Sequence, residues 1–202
     1  MEHEFGKILV TQKTGNESLN FKGEETGHKL LDFWQWSASD LISNATRGIF
    51  AEFIVAAALD IDRTNIRDEW SGYDLVSPEG IKIEVKSSSY LQSWFQTNIS
   101  KILFSIKQAN QFDILTNTFT KIPTRPADIY VFCLLKHTNQ ATLNPLNLEQ
   151  WEFYVLSTNT INNYKRSKSS ITLKSLQNLS KPVTYDLLKY TIIEQYNLSL
   201  QS

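Results

Sequence analysis

Residues 72–86 of this 202-residue chain read GYDLVSPEGIKIEVK, and this stretch carries the clearest structural signal in the sequence. Its centre, residues 77–80, is Ser-Pro-Glu-Gly, a combination typical of a tight turn. On either side apolar residues alternate with polar or charged ones, the period of a half-buried strand. The pattern predicts a hairpin with strands at about 72–77 and 81–87.

The second strand of this hairpin has two chemically different faces, because successive side chains of a strand point to opposite sides of the sheet. The apolar face carries Ile81, Ile83 and Val85, and the charged face carries Lys82, Glu84 and Lys86. The simplest interpretation is a half-buried strand whose charged face is solvated.

The register of the hairpin decides whether the charged face could also form a cation-binding site. A three-residue loop centred on Glu79 places Asp74 directly opposite Glu84, with Cβ atoms about 5 Å apart. Two carboxylates in that relation are destabilising unless a cation lies between them, and Mg²⁺ is a cation that takes such oxygen ligands. Lys86 projects to the same face. A two-residue loop would instead displace the pair.

A third carboxylate stands in an apolar helical pattern. Residues 49–59 are apolar except at Glu52. A carboxylate in such a surface is costly unless it is paired, neutralised or bound to a cation. The alternatives are a salt bridge to Arg47 or Arg63, a position at the helix edge, or a place in the Asp74/Glu84 site.

The other patterns predict a mixed sheet covered by helices. We expect an N-terminal arm or loop at 1–27 and a single domain at 28–202. A first helix begins near His28. A second helix ends near Leu59 and begins either after the N-cap candidates at 37–40 or after Thr46, where Gly48 marks the alternative start. The remaining predicted elements are a helix or loop at 90–101, strands at 102–108, 128–136 and 151–157, and a helix at 183–198.

Composition excludes several classes of protein. Twenty Lys and Arg residues against 21 Asp and Glu residues give a net charge of −1, which excludes a generally basic nucleic-acid coat protein but not a local basic cleft. The single cysteine, Cys133, excludes an internal disulfide framework and lies in an apolar run typical of a core strand. No apolar run is long enough to span a membrane, no signal peptide is recognisable, and no glycine-rich phosphate loop occurs. We therefore expect a cytoplasmic protein with no membrane contact and no nucleotide cofactor.

The combination of Asp74, a gap of ten residues across a tight turn, and Glu84-Val85-Lys86, preceded by a helix that carries Glu52, resembles the PD-(D/E)xK nuclease superfamily. The resemblance covers about residues 47–88. Tyr73 stands where the motif's name has Pro. The resemblance implies a three-layer α/β/α sandwich with a mixed central β-sheet, the restriction endonuclease-like fold of the α/β class.

The same resemblance implies the site residues and partners. Asp74 and Glu84, with the main-chain carbonyl of Val85, would bind Mg²⁺, for which Mn²⁺ can substitute. Lys86 would orient or deprotonate the attacking water, and Glu52 would complete the site. The implied activity is metal-dependent endonucleolytic cleavage of DNA in restriction, mobile-element or repair biology, with a 5′-phosphate and a 3′-hydroxyl as products. A homodimer is expected because two symmetric sites suit the two strands of a duplex.

Several further residues have two interpretations, one as contacts to nucleic acid and one as ordinary structural or solvated residues. Ser87 and Ser88 are phosphate-binding candidates or a polar strand end. Lys165, Arg166 and Lys168 form the densest basic cluster, which is either a DNA-backbone contact or a solvated loop. Trp94 is a base-stacking candidate, although a Trp at such spacing is more often a core residue.

Two hypotheses that assign the protein to other functional classes stay open at this point. One is a non-catalytic nucleic-acid-binding or assembly module that keeps the nuclease fold. The other is a structural α/β domain in which Glu52 is salt-bridged and the charged strand face is simply solvated. The discriminating observation is whether Glu52, Asp74, Glu84 and Lys86 converge in one concave site.

Overall fold

The computed structural model describes residues 8–64, 66–67, 71–113 and 118–201. The chain forms two compact units: the first comprises residues 1–39 and 62–67, and the second comprises residues 40–61 and 68–202. Within the described residues no helix combines the length and the apolar character needed to cross a membrane.

The first unit contains a hairpin and a short helix. Strands β1 (Ser18–Phe21) and β2 (Glu24–Lys29) pair antiparallel, and helix α1 (Leu30–Ala38) follows directly. The two residues between the strands, Lys22 and Gly23, both have positive φ, as a type I′ turn requires.

The hairpin lies mostly within residues 1–27, the segment expected to be an arm or loop, of which residues 1–7 lie outside the described part. The segment has no apolar alternation, so its strand pairing has no sequence signal. The predicted start of a helix near His28 agrees with α1 to within two residues.

The second unit carries the central sheet and most of the chain's core. Its elements, in chain order, are α2 (Asn44–Ala58), β3 (Leu75–Val76), β4 (Lys82–Ser89), β5 (Leu103–Ser105), β6 (Phe112–Asp113), β7 (Thr118–Phe119), β8 (Ile129–Leu135), β9 (Trp151–Ser157), α3 (Thr158–Asn163), β10 (Ser170–Thr172), α4 (Leu173–Gln177) and α5 (Tyr185–Ser199). Two single-turn 3₁₀ helices at 140–142 and 148–150 lie between β8 and β9.

The central sheet has the strand order β3-β4-β8-β9 and is mixed, as predicted. β4 and β8 run parallel, whereas β3 and β9 are antiparallel to their neighbours. β8 is buried along its whole length, as expected for a central strand covered on both faces. The second unit also contains the two-stranded ribbons β5–β10 and β6–β7.

The two faces of the central sheet are covered by different structures. On one face, α2 and α5 pack on a core that includes Ile83, Val85, Val131 and Phe153. On the other face, the β5–β10 ribbon, α3 and α4 supply the partners of the alternate residues, which are Tyr130, Phe132, Leu134, Tyr154 and Leu156. The protein is therefore α/β with an open mixed sheet. One face of the sheet is covered by two long helices, and the other is covered by a two-stranded ribbon and two short helices.

Most predicted elements agree with the structure, with shifted ends. Residues 151–157 form β9 as predicted, and Cys133 is fully buried in β8. The second helix begins at Asn44 rather than near residue 40, because Asp40 accepts the amide hydrogens of Ile42 and Ser43 in a turn that precedes the helix. Residues 90–101 form a loop, not a helix.

Adjacent leucines of α5 offer a matched test of the packing on the helical face. Leu188 is fully buried in the core and Leu187 is half exposed. We expect Leu188→Ala to lower the free energy of unfolding by about 2–5 kcal/mol, because it removes buried contacts and leaves a cavity. Leu187→Ala should cost less than about 1 kcal/mol. Urea denaturation of both variants checks this, and equal losses would contradict the packing described.

Candidate active site

The turn between β3 and β4 sets the geometry of the site. The Ser77 amide donates to the Ile81 carbonyl at 3.0 Å, and the Gly80 amide donates to the Ser77 carbonyl at 2.9 Å. Gly80 has a φ of 83°, a conformation that glycine adopts without strain. The Ser77 hydroxyl accepts the amide hydrogens of Glu79 and Ile81. The result is a three-residue loop centred on Glu79.

This loop sets the register of β3 and β4 next to the two acidic residues Asp74 and Glu84. Leu75 pairs with Ile83 and Val76 pairs with Lys82. Asp74 directly precedes these pairs, and its amide donates to the Ile83 carbonyl at 3.0 Å. The predicted register is therefore confirmed for the two pairs Leu75–Ile83 and Val76–Lys82.

The Asp74 carboxylate is held against the edge of β4. Its Oδ2 accepts the amide hydrogen of Val85 at 2.7 Å. The N–H and C=O groups of one strand residue point to the same edge, so the Val85 carbonyl faces the same side as Asp74. The β3 ladder ends at Leu75, before it reaches Val85.

Glu84 and Lys86 are neighbours on the charged face of β4. The Lys86 ammonium donates to Oε1 of Glu84. The side chains of Glu84 and Lys86 are only 18% and 29% exposed, so the ion pair is partly desolvated. The alternate residues Ile83 and Val85 are buried on the opposite face, as the strand period predicted.

The site favours a proton or a cation. Burial raises the pKa of the Glu84 carboxyl, Lys86 opposes this shift, and the charges of Asp74 and Glu52 add to it. Three carboxylates thus act with one lysine, so the local charge is negative. Additional positive charge at this place would stabilise the ionised form of Glu84.

Asp74 and Glu84 open into a common cleft of about 280 Å³. The other residues that line it are Ser71, Gly72, Tyr73, Ala109, Asn110, Gln111, Phe112 and Phe119. Residues 109–112 and Phe119 are not among the site residues that the sequence predicted. Their positions follow from chain folding around β6 and β7, and no local motif marks them.

Glu52 lies on α2, the helix that packs on β4. Its side chain is partly buried, and its charge is close enough to raise the pKa of Glu84. It does not line the cleft that Asp74 and Glu84 share. Lys86 does not line this cleft either, although it contacts Glu84. The structure therefore brings Asp74 and Glu84 together on one cleft, pairs Lys86 with Glu84, and places Glu52 at the periphery.

The donor set suits a hard cation. Among the described residues, no group of three or more His, Cys, Asp or Glu side chains is arranged to hold a metal ion. Two carboxylates on one cleft and the adjacent Val85 carbonyl are nevertheless the oxygen ligands that Mg²⁺ takes, and Mg²⁺ keeps several waters in such sites. The donor chemistry therefore fits a divalent ion that is partly hydrated.

The two serines after Lys86 occupy different environments. The Ser87 hydroxyl accepts a hydrogen bond from Nε of Arg47 at 3.4 Å, on the face that α2 covers. Arg47 is buried, and its guanidinium also donates to the Ile42 carbonyl and the side chains of Asn44 and Gln92. Burial lowers the pKa of Arg47. Ser88 is half-buried on the same face as Lys86.

The basic cluster lies outside the acidic cleft. Lys165 and Arg166 line a separate cavity of about 690 Å³, together with residues of α3, α4 and α5. Lys168 is exposed, and its carbonyl accepts a hydrogen bond from Arg125. Arg125 also donates to the Ile106 carbonyl and the Asn162 side chain, so it ties this segment to the end of β5.

Charge is segregated along the chain. Residues 85–185 contain eleven Lys and Arg but only four Asp and Glu, a net charge of +7. Residues 1–84 contain eight basic and fifteen acidic residues, a net charge of −7. The segment 153–185 has five basic and no acidic residues. A near-neutral chain can thus present basic segments to a polyanion.

An acidic pair with a lysine on a strand of a mixed sheet, in a chain with a strongly basic half, is compatible with an enzyme that cleaves phosphodiester bonds. Comparison with protein families agrees with this class. The family model of bacteriophage T4 endonuclease IV matches residues 2–175. The chain belongs to this family, which supports its assignment as a DNA endonuclease, a DNA-cleaving hydrolase. No curated protein matches the chain.

The raised pKa of Glu84 predicts a pH-dependent stability. A carboxyl whose pKa is higher in the folded than in the unfolded protein destabilises the fold above the raised pKa, and this cost disappears below the unfolded value of about 4.3. In EDTA, Glu84→Gln should therefore have a higher Tm than the wild type at pH 7–8. The difference should shrink as the pH falls towards about 4.3.

Glu79→Gln is the matched control for this prediction. The pKa of the Glu79 carboxyl is lowered, mainly by a hydrogen bond with Ser77, so removal of its charge should not raise the Tm at neutral pH. Thermal unfolding followed by circular dichroism gives both values. A Glu84→Gln variant less stable than the wild type at pH 7–8 would show that the Lys86 ion pair outweighs burial.

Proposed function

We propose that the protein is a metal-dependent endonuclease of the PD-(D/E)xK type with a restriction endonuclease-like fold. The observation that carries this proposal is the register of β3 and β4, because it puts Asp74 and Glu84 on one cleft with Lys86 bound to Glu84. The sheet order and the covered faces are compatible with a three-layer sandwich.

The proposed roles follow from the chemistry of each group. Asp74, Glu84 and the Val85 carbonyl hold Mg²⁺ or Mn²⁺. When bound, the ion lowers the pKa of a water and neutralises charge on the phosphate. Lys86 supplies a cation for the negative charge that develops in the transition state and positions or deprotonates the water. Glu52 acts from the periphery through water.

The bond changes are those of hydrolysis. The water oxygen forms a bond with the phosphorus, and the bond between phosphorus and the 3′ oxygen breaks. The 3′ oxygen takes a proton, so the products are a 5′-phosphate and a 3′-hydroxyl. Lys165, Arg166, Lys168 and the half-buried Ser88 are the proposed contacts to the DNA backbone outside the reacting phosphate.

The proposed setting is cytoplasmic restriction, mobile-element or repair biology, in which the protein acts as a homodimer without a nucleotide cofactor. Its affinity for DNA comes from the basic segments after residue 84 rather than from net charge.

A cleavage assay tests the function. Supercoiled plasmid and single-stranded, duplex and branched DNA are incubated with the protein and Mg²⁺, Mn²⁺ or EDTA. We expect metal-dependent cleavage that Glu84→Ala or Lys86→Ala reduces by at least about 10²-fold, the usual contribution of a group that transfers protons or stabilises charge. Lys189→Ala is the control, because it removes an ion-paired surface lysine on α5. Cleavage by both site variants at the wild-type rate would refute the assignment.

Ion binding distinguishes the enzyme from a second candidate, a non-catalytic nucleic-acid-binding or assembly module that retains the nuclease fold. The Glu84–Lys86 ion pair favours this second candidate, since it partly satisfies the carboxylate without a metal. For the enzyme we expect calorimetry to detect Mg²⁺ or Mn²⁺ binding that Asp74→Asn weakens at least about tenfold.

The asparagine variant can keep its acceptor for the Val85 amide hydrogen, so its fold should survive. Asp60→Asn is the control, because Asp60 pairs with Lys189 away from the cleft. DNA binding without Asp74-dependent ion binding or cleavage would favour the non-catalytic module.

A further inference from the structure

An irregular loop directly after β4 displays two aromatic rings to solvent. We call residues 90–100 the aromatic loop. Trp94 is 54% exposed and Phe95 is 90% exposed. Trp94 is therefore not a core residue, and the plainer interpretation of its sequence context is wrong. Large apolar rings at such exposure contribute little to the stability of the fold, so their position needs another explanation.

The ends of the aromatic loop are fixed. The Ser100 amide donates to the Tyr90 carbonyl at 2.8 Å, which closes the loop at its base. Leu91 and Ile102 are buried on either side of this closure. The two rings thus lie on a segment whose termini are anchored in the core.

Two glutamine side chains frame the loop from inside. Oε1 of Gln96 accepts the Gln92 amide hydrogen at 2.7 Å, and Nε2 of Gln96 donates to the Tyr90 carbonyl at 3.2 Å. Nε2 of Gln92 donates to the Ser89 carbonyl at 2.8 Å, and its Oε1 accepts from the buried Arg47 at 3.3 Å. The frame therefore reaches from the end of β4 to α2.

A framed loop that exposes rings is suited to binding. Because the backbone is already ordered, ligand binding costs less conformational entropy than it would in a mobile loop. Flat aromatic faces are the groups on which nucleobases stack, and they do so with little dependence on sequence.

Charge and position connect the loop with DNA. The stretch 85–112 contains three lysines and no Asp or Glu, so no carboxylate within it repels a phosphate backbone. The loop begins four residues after Lys86. At about 3.3 Å per strand residue this is roughly 13 Å along β4, a length of about four stacked nucleotides.

We propose that Trp94 and Phe95 bind DNA by stacking on base faces, a few nucleotides away from the phosphate that is cleaved. This inference rests on the proposed function in two respects, the identity of the substrate as DNA and the place of the cleaved phosphate beside Lys86. The base faces come either from an unpaired strand or from a duplex step that the rings open. The same loop thereby sets the position of the strand relative to Lys86.

Equilibrium binding in EDTA tests the proposal without requiring cleavage. Fluorescence anisotropy of labelled oligonucleotides gives the Kd of the full-length wild type, Trp94→Ala, Phe95→Ala and Ile99→Ala. Ile99 lies in the same loop and is 52% exposed, so it is the matched control. We expect each aromatic variant to raise the Kd at least about fivefold, and the control to change it less than about twofold.

Two further readouts identify stacking. The dependence of Kd on salt should be unchanged in the aromatic variants, since no phosphate contact is lost, whereas Lys165→Ala should reduce it. An abasic nucleotide scanned through the oligonucleotide should weaken wild-type binding at the contacted positions. It should have little effect at those positions on Trp94→Ala, because the ring that binds the base is already absent.

Binding measured with different DNA substrates distinguishes the two sources of base faces, an unpaired strand and an opened duplex step. A loss confined to single-stranded DNA indicates stacking on unpaired bases, and a loss on perfect and mismatched duplexes indicates a ring inserted into a step. Aromatic variants that bind all DNAs within twofold of the wild type would overturn the inference. If such variants also show Lys86-dependent cleavage, the proposed function stands without it. Weakened binding without any cleavage would instead retain the inference and reject the enzyme.

Discussion

The turn from Ser77 to Gly80 determines which residue of β3 faces which residue of β4, and the site depends on that register. A shift by one residue would turn every side chain of the short β3 strand to the other face. Asp74 would then no longer share its cleft with Glu84, and the buried residue Ile83 would lose its strand partner Leu75. The Ser77 hydroxyl and the positive φ of Gly80 make the three-residue loop favourable.

The site combines carboxylates that repel one another in a partly buried place, and the fold tolerates this for identifiable reasons. One oxygen of Asp74 accepts a backbone amide hydrogen and Glu84 binds Lys86, so each negative charge has a partner. The compensation is incomplete, as the raised pKa of Glu84 indicates. Incomplete compensation of this kind is common where a protein binds an ion or carries out proton transfer.

Arg47 links the parts of the second unit that surround the C-terminal end of β4. It is buried, and its hydrogen bonds reach the start of α2, Ser87 at the end of β4, and Gln92 in the aromatic loop. A buried guanidinium is stable only with its donors satisfied, so this residue constrains the relative positions of all three segments. The same strand thus presents the acidic cleft along its length and the aromatic rings beyond its end.

The sequence by itself determined the elements whose signals are local. The Ser-Pro-Glu-Gly turn, the alternation in β4 and the apolar runs of β8 and β9 depend on short-range preferences. From them the hairpin register and the mixed sheet could be predicted, and the register brings Asp74 and Glu84 to one cleft. The same local reasoning gave the end of α2 and the position of α5.

Only the tertiary structure decided the features that depend on residues distant in the chain. The polar β1–β2 hairpin has no apolar alternation, and its type I′ turn has no strong hairpin dipeptide. Gln111 and Phe119 reach the cleft through chain folding, and Ser87 faces Arg47 rather than solvent. Trp94 is exposed on a loop whose backbone is held by two glutamine side chains. The spacing of residues along a strand or helix determines on which face of that element a side chain lies. The residues that the side chain contacts depend on how distant segments of the chain pack.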